Sequence, residues 1–236
     1  MKKVTQLTLA SAIAAASAIS APAMADLSVN IGATSDYVWR GVSQTGNGAA
    51  VSGGVDYEDE SGFYAGTWLS NTSLGTSETD LYLGYGLDLG NAGGLTVGYI
   101  YYLYPTIDNA NFGEVHVDYS VAGFSVGVAV TVNDDTDEDA PFSAGDVFAY
   151  LGYGLDLGND WSLGGTVGSY QFDDADVDYT YVQLDLGKSV GEFGDITLSV
   201  SVADSDEVID VDDVLAGPDP FVDTDPLTFI SWSKGF

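Results

Sequence analysis

"LGYGLDLGN" spans Leu83–Asn91, and the same nine residues recur at Leu151–Asn159. In the first copy Leu83, Tyr85, Leu87 and Leu89 alternate with Gly84, Gly86, Asp88 and Gly90. A period of two sends alternate side chains to opposite faces of an extended strand, so one face is apolar and the other is glycine or carboxylate. The fold turns on what the apolar face meets.

The alternation continues on both sides of the repeat. Phe124, Val126, Val128, Val130 and Val132 interleave with Ser125, Gly127, Ala129, Thr131 and Asn133. Val115, Val117, Tyr119 and Val121 interleave with Glu114, His116, Asp118 and Ser120. About twelve strands are predicted, at 26–40, 49–58, 62–71, 78–89, 94–104, 111–121, 123–133, 145–157, 161–172, 178–187, 195–204 and 227–236. Pro105, Pro141, Pro218, Pro220 and Pro226 fall between these strands or at their ends, where a missing N–H breaks no ladder. Both copies of the repeat end a strand at a short turn, four strands apart. That spacing fits a duplicated hairpin block, and equally the convergence of two similar strand ends.

Connections alternate in length. Those at Glu58–Ser61, Leu89–Gly94, Val121–Gly123, Leu157–Trp161 and Gly187–Gly194 are short, while the opposite set includes 133–145 and 204–226. Short turns at one rim and long loops at the other are the asymmetry of outer-membrane barrels.

Composition narrows the choice. The 236 residues carry 5 basic and 36 acidic side chains, for a net charge of -31, yet 45% are hydrophobic and 12% aromatic. Such acidity excludes a nucleic-acid partner. The apolar content argues against disorder and requires that the two classes be segregated. The absence of cysteine removes disulfides and thiolate metal sites. Lys2 and Lys3, the apolar run Leu7–Ile19 and Ala23-Met24-Ala25 read as a signal peptide over 1–25. The stretch is too short and too rich in small residues to span a bilayer comfortably. Residues 26–236 are then one extracytoplasmic domain, with Arg40, Lys188 and Lys234 against 36 carboxylates, a net -33.

A soluble β-sandwich or carbohydrate-binding module would also alternate. Three features favour a transmembrane antiparallel barrel in the cell outer membrane. The polar parity mixes Gly, Ser, Thr and carboxylates with Tyr102, Tyr104, Tyr179 and Tyr181, a mixture that suits a barrel interior. Tyr37, Trp39, Tyr57, Phe63, Tyr119, Phe124 and Trp161 cluster near predicted strand ends, as interfacial girdles do. The chain stops on "LTFISWSKGF", where Ile230, Trp232 and Phe236 share one parity. That strand resembles the signal read by the barrel-assembly machinery, except at Lys234, whose amine can snorkel to the interface.

"SDYVWRGVSQT" (Ser35–Thr45), "ESGFYAGTWLSN" (Glu60–Asn71) and "GYIYYLYP" (Gly98–Pro105) resemble hallmarks of the TorF-type porin family of Gram-negative outer-membrane proteins. The likeness runs across most of the chain after residue 25 and is strongest before about residue 120. It implies a β-barrel and a pore, with no substrate and no catalytic residues to carry over.

On the polar parity lie Asp36, Arg40, Asp56, Glu58, Asp80, Asp88, Glu114, His116, Asp118, Asp146, Asp156 and Asp185. The pore-lining candidates among them are Asp36, Arg40, Asp56, Asp80, Glu114, His116, Asp118 and Asp185. Carboxylates in a lumen favour cations and repel anions. Asp36 and Arg40, four residues apart, are expected on one face of one strand, with Arg40 pinned by carboxylates either at a constriction or as a local charge pair. His116, the one histidine, sits mid-strand between Glu114 and Asp118, which suits a lumen residue better than a catalytic one. Glu114, His116 and Asp118 share a face, but their spacing along a strand of about 7 Å works against convergence on one metal.

The loop carboxylates Asp134, Asp135, Asp137, Glu138 and Asp139, with Asp173–Asp178 and Asp204–Asp213, are candidates for loosely bound Ca²⁺ or Mg²⁺. None has EF-hand spacing, and no resident cofactor is expected. Divalent ions there would bridge to lipopolysaccharide phosphates, in which case chelation lowers the melting temperature; an unchanged temperature contradicts the bridge. The sequence thus predicts a passive channel for small solutes. A closed barrel with a structural, adhesive or ion-binding role is the alternative, with Trp68, Tyr102 and Tyr104 as inward plugging side chains.

Overall fold

The computed structural model describes residues 26–136, 141–173, 178–205 and 225–236. In chain order the strands are β1 (Asp26–Thr34), β2 (Val38–Trp39), β3 (Val42–Ser43), β4 (Ala50–Glu58), β5 (Phe63–Asn71), β6 (Ser77–Asp88), β7 (Gly94–Leu103) and β8 (Phe112–Val121). There follow β9 (Phe124–Asp134), β10 (Val147–Gly158), β11 (Trp161–Gln171), β12 (Tyr179–Ser189), β13 (Asp195–Ser205) and β14 (Leu227–Gly235). Twelve of them close an antiparallel barrel in the order β1-β14-β13-β12-β11-β10-β9-β8-β7-β6-β5-β4. The seam joins the ends of the chain, with Asn30 opposite Gly235 and Thr34 opposite Ser231. Beyond the register, Phe236 donates its N–H to the Val29 carbonyl at 2.8 Å. Every wall strand therefore has two neighbours, the condition for a sheet to sit in hydrocarbon without an open edge.

The barrel is inside out relative to a soluble protein. Leu83 is 52% exposed on the outside and Val128 43%, whereas Glu114 is 1% and Ser199 0% exposed inside. A continuous apolar band on the outer wall needs lipid rather than water. One sheet closes on itself and no second layer covers Val126 and Val128, so the barrel expectation holds and the β-sandwich alternative falls.

Tyr57, Phe63, Tyr85, Phe124, Tyr153 and Trp161 lie on the outer face near the short-turn rim. Among them Phe63 and Tyr85 lie 5.8 Å and Phe124 and Tyr153 4.4 Å apart between ring centroids. Lys234 reaches that rim and donates its amine to the Glu192 carbonyl at 2.6 Å.

The repeated nonapeptide ends β6 and β10 at this rim, and the two copies use their aspartate alike. Asp88 accepts the Gly90 N–H and Asp156 the Gly158 N–H, each at 2.7 Å. Both glycines have positive φ, +63° and +77°. A carboxylate that hydrogen-bonds two residues ahead and a glycine free to adopt the left-handed region together make the turn. Asp88 and Asp156 are thus rim caps and not pore residues. The inward Gly84 serves another purpose. A Cβ there would fall 2.4 Å from the Tyr64 hydroxyl and 2.5 Å from the Val97 carbonyl, so the missing side chain lets a tyrosine lie against the wall.

Two expectations about parity fail. The first strand stops at Thr34 rather than residue 40, and the chain turns into the lumen. Tyr37 and Trp39 are therefore not interfacial; both are 6% exposed inside the barrel. At the other site, the register of β8 on β9 shifts between Gly113 and Glu114, which face Asn133 and Thr131. Val132 is the extra residue of this bulge, and it swings Asn133 to the outer face, where it accepts the Tyr99 hydroxyl at 2.8 Å.

Candidate functional site

The lumen is organised by the segment between β1 and β4. There "VWRGVS" forms a hairpin in which Trp39 pairs with Val42 across the turn residues Arg40 and Gly41. Both have positive φ, +47° and +86°. Paired left-handed residues suit a two-residue hairpin, and glycine takes that conformation without cost. Gly41 is required twice over, because a Cβ on it would fall 2.6 Å from the Tyr181 side chain. Arg40 bears the less favourable conformation, offset by what its side chain gains.

The Arg40 guanidinium donates through both Nη atoms to both oxygens of Glu114, each at 2.7 Å. Its carbon lies 4.0 Å from the Phe148 ring centroid and 4.3 Å from that of Trp39. The Tyr170 hydroxyl donates to Glu114 at 3.0 Å and the Tyr102 hydroxyl at 3.2 Å. Glu114 thus receives four hydrogen bonds on two oxygens, the satisfaction that a buried carboxylate needs. Arg40 is pinned by a carboxylate as expected, but from across the lumen. Asp36 is not its partner and does not share a strand face with it. Asp36 instead accepts the Ser43 hydroxyl at 2.6 Å and the Thr45 hydroxyl at 2.9 Å, tying the two legs of the hairpin.

Aromatic rings fill the long-loop half of the lumen around the hairpin. Trp39 lies within 6.4 Å of Tyr102, Phe112, Phe142 and Tyr170, centroid to centroid. On the far wall Val38 clusters with Leu227 and Phe229. Trp68, Tyr102 and Tyr104 point inward as the sequence suggests, and Trp68 meets Tyr37 edge-on at 5.4 Å.

Beside the hairpin a cavity of about 410 Å³ remains, bordered by Asp36, Asp56, Asp80, Glu114, His116 and Asp118. With Arg40, seven of the eight pore-lining candidates are thereby brought to one space. Arg40 reaches it from the hairpin tip, and Asp185 lies away from it on β12. Asp185 accepts from Gln183 at 2.9 Å and Ser199 at 2.6 Å. Asp56 accepts from Asn30 at 3.0 Å and also from the Tyr82 hydroxyl. Asp118 accepts the Tyr150 hydroxyl at 2.9 Å and meets His116 Nδ1 at 2.6 Å. His116 Nε2 is 3.4 Å from the Tyr64 hydroxyl. Its partners are a carboxylate and a phenol, so no Ser-His-Asp arrangement forms on it. Glu114 is held by Arg40 and does not join His116 and Asp118 as a metal ligand. No group of three or more metal-ligating side chains occurs among the described residues.

One lumen carboxylate escaped the sequence reading. Glu78 accepts the hydroxyls of Tyr37 and Tyr104, each at 2.6 Å. Its parity with Asp80, two residues on, was the available signal. Among the loop candidates, Asp134 accepts the Thr136 hydroxyl and the Ala144 N–H at 2.8 Å, and Asp135 accepts two bonds from Asn111 at 2.7 Å. These two aspartates hold loops together. Asp137, Glu138 and Asp139 lie outside the described residues.

Two solved structures share the architecture. The KdgM porin aligns with a TM-score of 0.53 at 9% identity, over 89% of this chain and 98% of its own. The NanC porin aligns with a TM-score of 0.51 at 12% identity, over 89% and 98%. At such identities the likeness shows the fold, a closed barrel of the kind found in outer-membrane porins. No curated protein matches by sequence. One family, described as "Bacterial protein of unknown function (Gcw_chp)", matches residues 17–231. That match, and not the TorF-type family name, is what the comparison returns. With most of its length covered, the chain belongs to the Gcw_chp family of bacterial proteins of unknown function.

Proposed function

We propose that this protein is a passive channel of the Gram-negative outer membrane, of the TorF-type porin kind, that admits small solutes and prefers cations. The observation that carries the proposal is a closed barrel, apolar outside, with Asp36, Asp56, Asp80, Glu114 and Asp118 around one internal cavity. Against these stand Arg40, His116 and, towards the short-turn rim, Lys234. Carboxylates at close quarters raise the local concentration of cations and exclude anions. The protein needs no resident cofactor for this, and Ca²⁺ or Mg²⁺ enters only as loosely held rim ions beside lipopolysaccharide.

Conductance in a planar lipid bilayer with a salt gradient tests the proposal. The expected reversal potential reports cation over anion permeability, and Arg40→Ala strengthens that bias. Anion preference at neutral pH overturns it.

The aromatic packing around the hairpin favours a second reading, a barrel that is shut as folded and serves a structural or adhesive role. Absence of conductance from the native chain, with conductance appearing only in a variant lacking 36–45, selects it.

A further inference from the structure

We propose that the lumen cavity holds a binding site for a small organic cation, built on Asp80 with the rings of Trp68 and Tyr102. The site deepens the channel reading, which supplies the route of entry, but occupancy itself requires no conduction.

Asp80 differs from the other carboxylates of the cavity. Asp36, Asp56, Glu114 and Asp118 each accept hydrogen bonds from side chains of the protein. Asp80 is 7% exposed and its Oδ1 has no hydrogen-bond partner. A carboxylate withdrawn from water without a donor is costly, and the cost disappears when a cation meets it. The register fixes its surroundings. Asp80 stands directly opposite Trp68 on β5 and Tyr102 on β7. Opposed residues on one face of a sheet have their Cβ atoms about 5 Å apart, so an aromatic residue stands beside Asp80 on either neighbouring strand.

The protein shows what such a place accepts. On the same cavity, two strands from Asp80, the Arg40 guanidinium meets a like combination, the Glu114 carboxylate with the ring faces of Trp39 and Phe148. Cations that gain from ring faces are weakly hydrated ones: guanidinium, primary amines and quaternary ammonium. A hard dication needs six or more oxygens, and the neighbouring carboxylates are already engaged. Among the described residues no three metal-ligating side chains converge. The cavity of about 410 Å³ has room for a ligand of several heavy atoms.

The test uses the full chain refolded in detergent and followed by tryptophan fluorescence. Tetramethylammonium chloride is titrated at constant ionic strength against sodium chloride, with tert-butanol as the neutral molecule of similar shape and magnesium chloride as the hard cation. Saturable quenching by tetramethylammonium is expected, with at least ten-fold weaker affinity in Asp80→Asn and a smaller signal in Trp68→Phe. Unsaturable quenching overturns the site, as does undiminished affinity in Asp80→Asn, which would mean a protonated Asp80. Equal binding of tert-butanol or tighter binding of magnesium also overturns it. Should Asp80→Asn fail to fold, tetramethylammonium against tert-butanol on the native chain decides. A barrel that binds but does not conduct loses the channel reading and keeps this site; one that conducts without binding does the reverse.

Discussion

Replacing Arg40 by alanine is expected to destabilise the folded barrel by about 3–5 kcal/mol, because it strands a buried charge. Glu114 is 1% exposed, and the guanidinium supplies two of its four hydrogen bonds. Without it the carboxylate keeps only two tyrosine hydroxyls, and the rings of Trp39 and Phe148 lose the group between them. The hairpin then loses its polar anchor on the β8 wall, so single-channel conductance should rise along with the loss of stability. Urea unfolding of protein refolded in vesicles measures the first effect, and planar bilayers the second. Removing both charges, as Arg40→Met with Glu114→Gln, should recover part of the stability without restoring the anchor. If Arg40→Ala costs under about 1 kcal/mol, of the size of an exposed ion pair, the pair is not structural.

The second large effect belongs to the outer wall. Val128 lies at the middle of the 11-residue β9, 43% exposed, opposite Val117 and Ala149. Val128→Arg should cost about 2–4 kcal/mol, as a cation at the midplane of a lipid-facing wall does. Val132→Arg, on the same strand near the long-loop rim, should cost about 0–1 kcal/mol because its head reaches water. Urea titration of both variants in vesicles gives the contrast. Equal costs would mean that this face does not see hydrocarbon.

Much of the barrel was legible in the alternation. Valines and leucines of one parity against Gly, Ser and carboxylate of the other admit few structures, and closing the first strand on the last with both termini at one rim requires an even count. The inner hairpin was not legible for a physical reason. Tyr37 and Trp39 continue the parity of Val29 and Ile31, so period two runs through a point where the chain leaves the wall. The local mark is Gly41, a turn residue directly after the strand predicted over 26–40, and turn chemistry outweighs periodicity there. The bulge at Val132 was hidden for a related reason, since one extra residue alters parity without altering composition. Among candidate residues, type and face were readable for Asp56, Asp80 and Asp118. Partnership was not, because Arg40 and Glu114 are 74 residues apart and meet only across a closed lumen.

The placement of the hairpin bears on the mechanics of the tube. Val38 rests against Leu227 and Phe229 of β14, while Arg40 grips Glu114 of β8. In the ring of twelve, β14 and β8 are six strands apart, which makes them diametrically opposed. A hollow cylinder of hydrogen-bonded ribbons flattens easily into an ellipse under lateral pressure. A cross-brace tied to both ends of a diameter resists that ovalisation, so the same hairpin that narrows the bore also keeps it round.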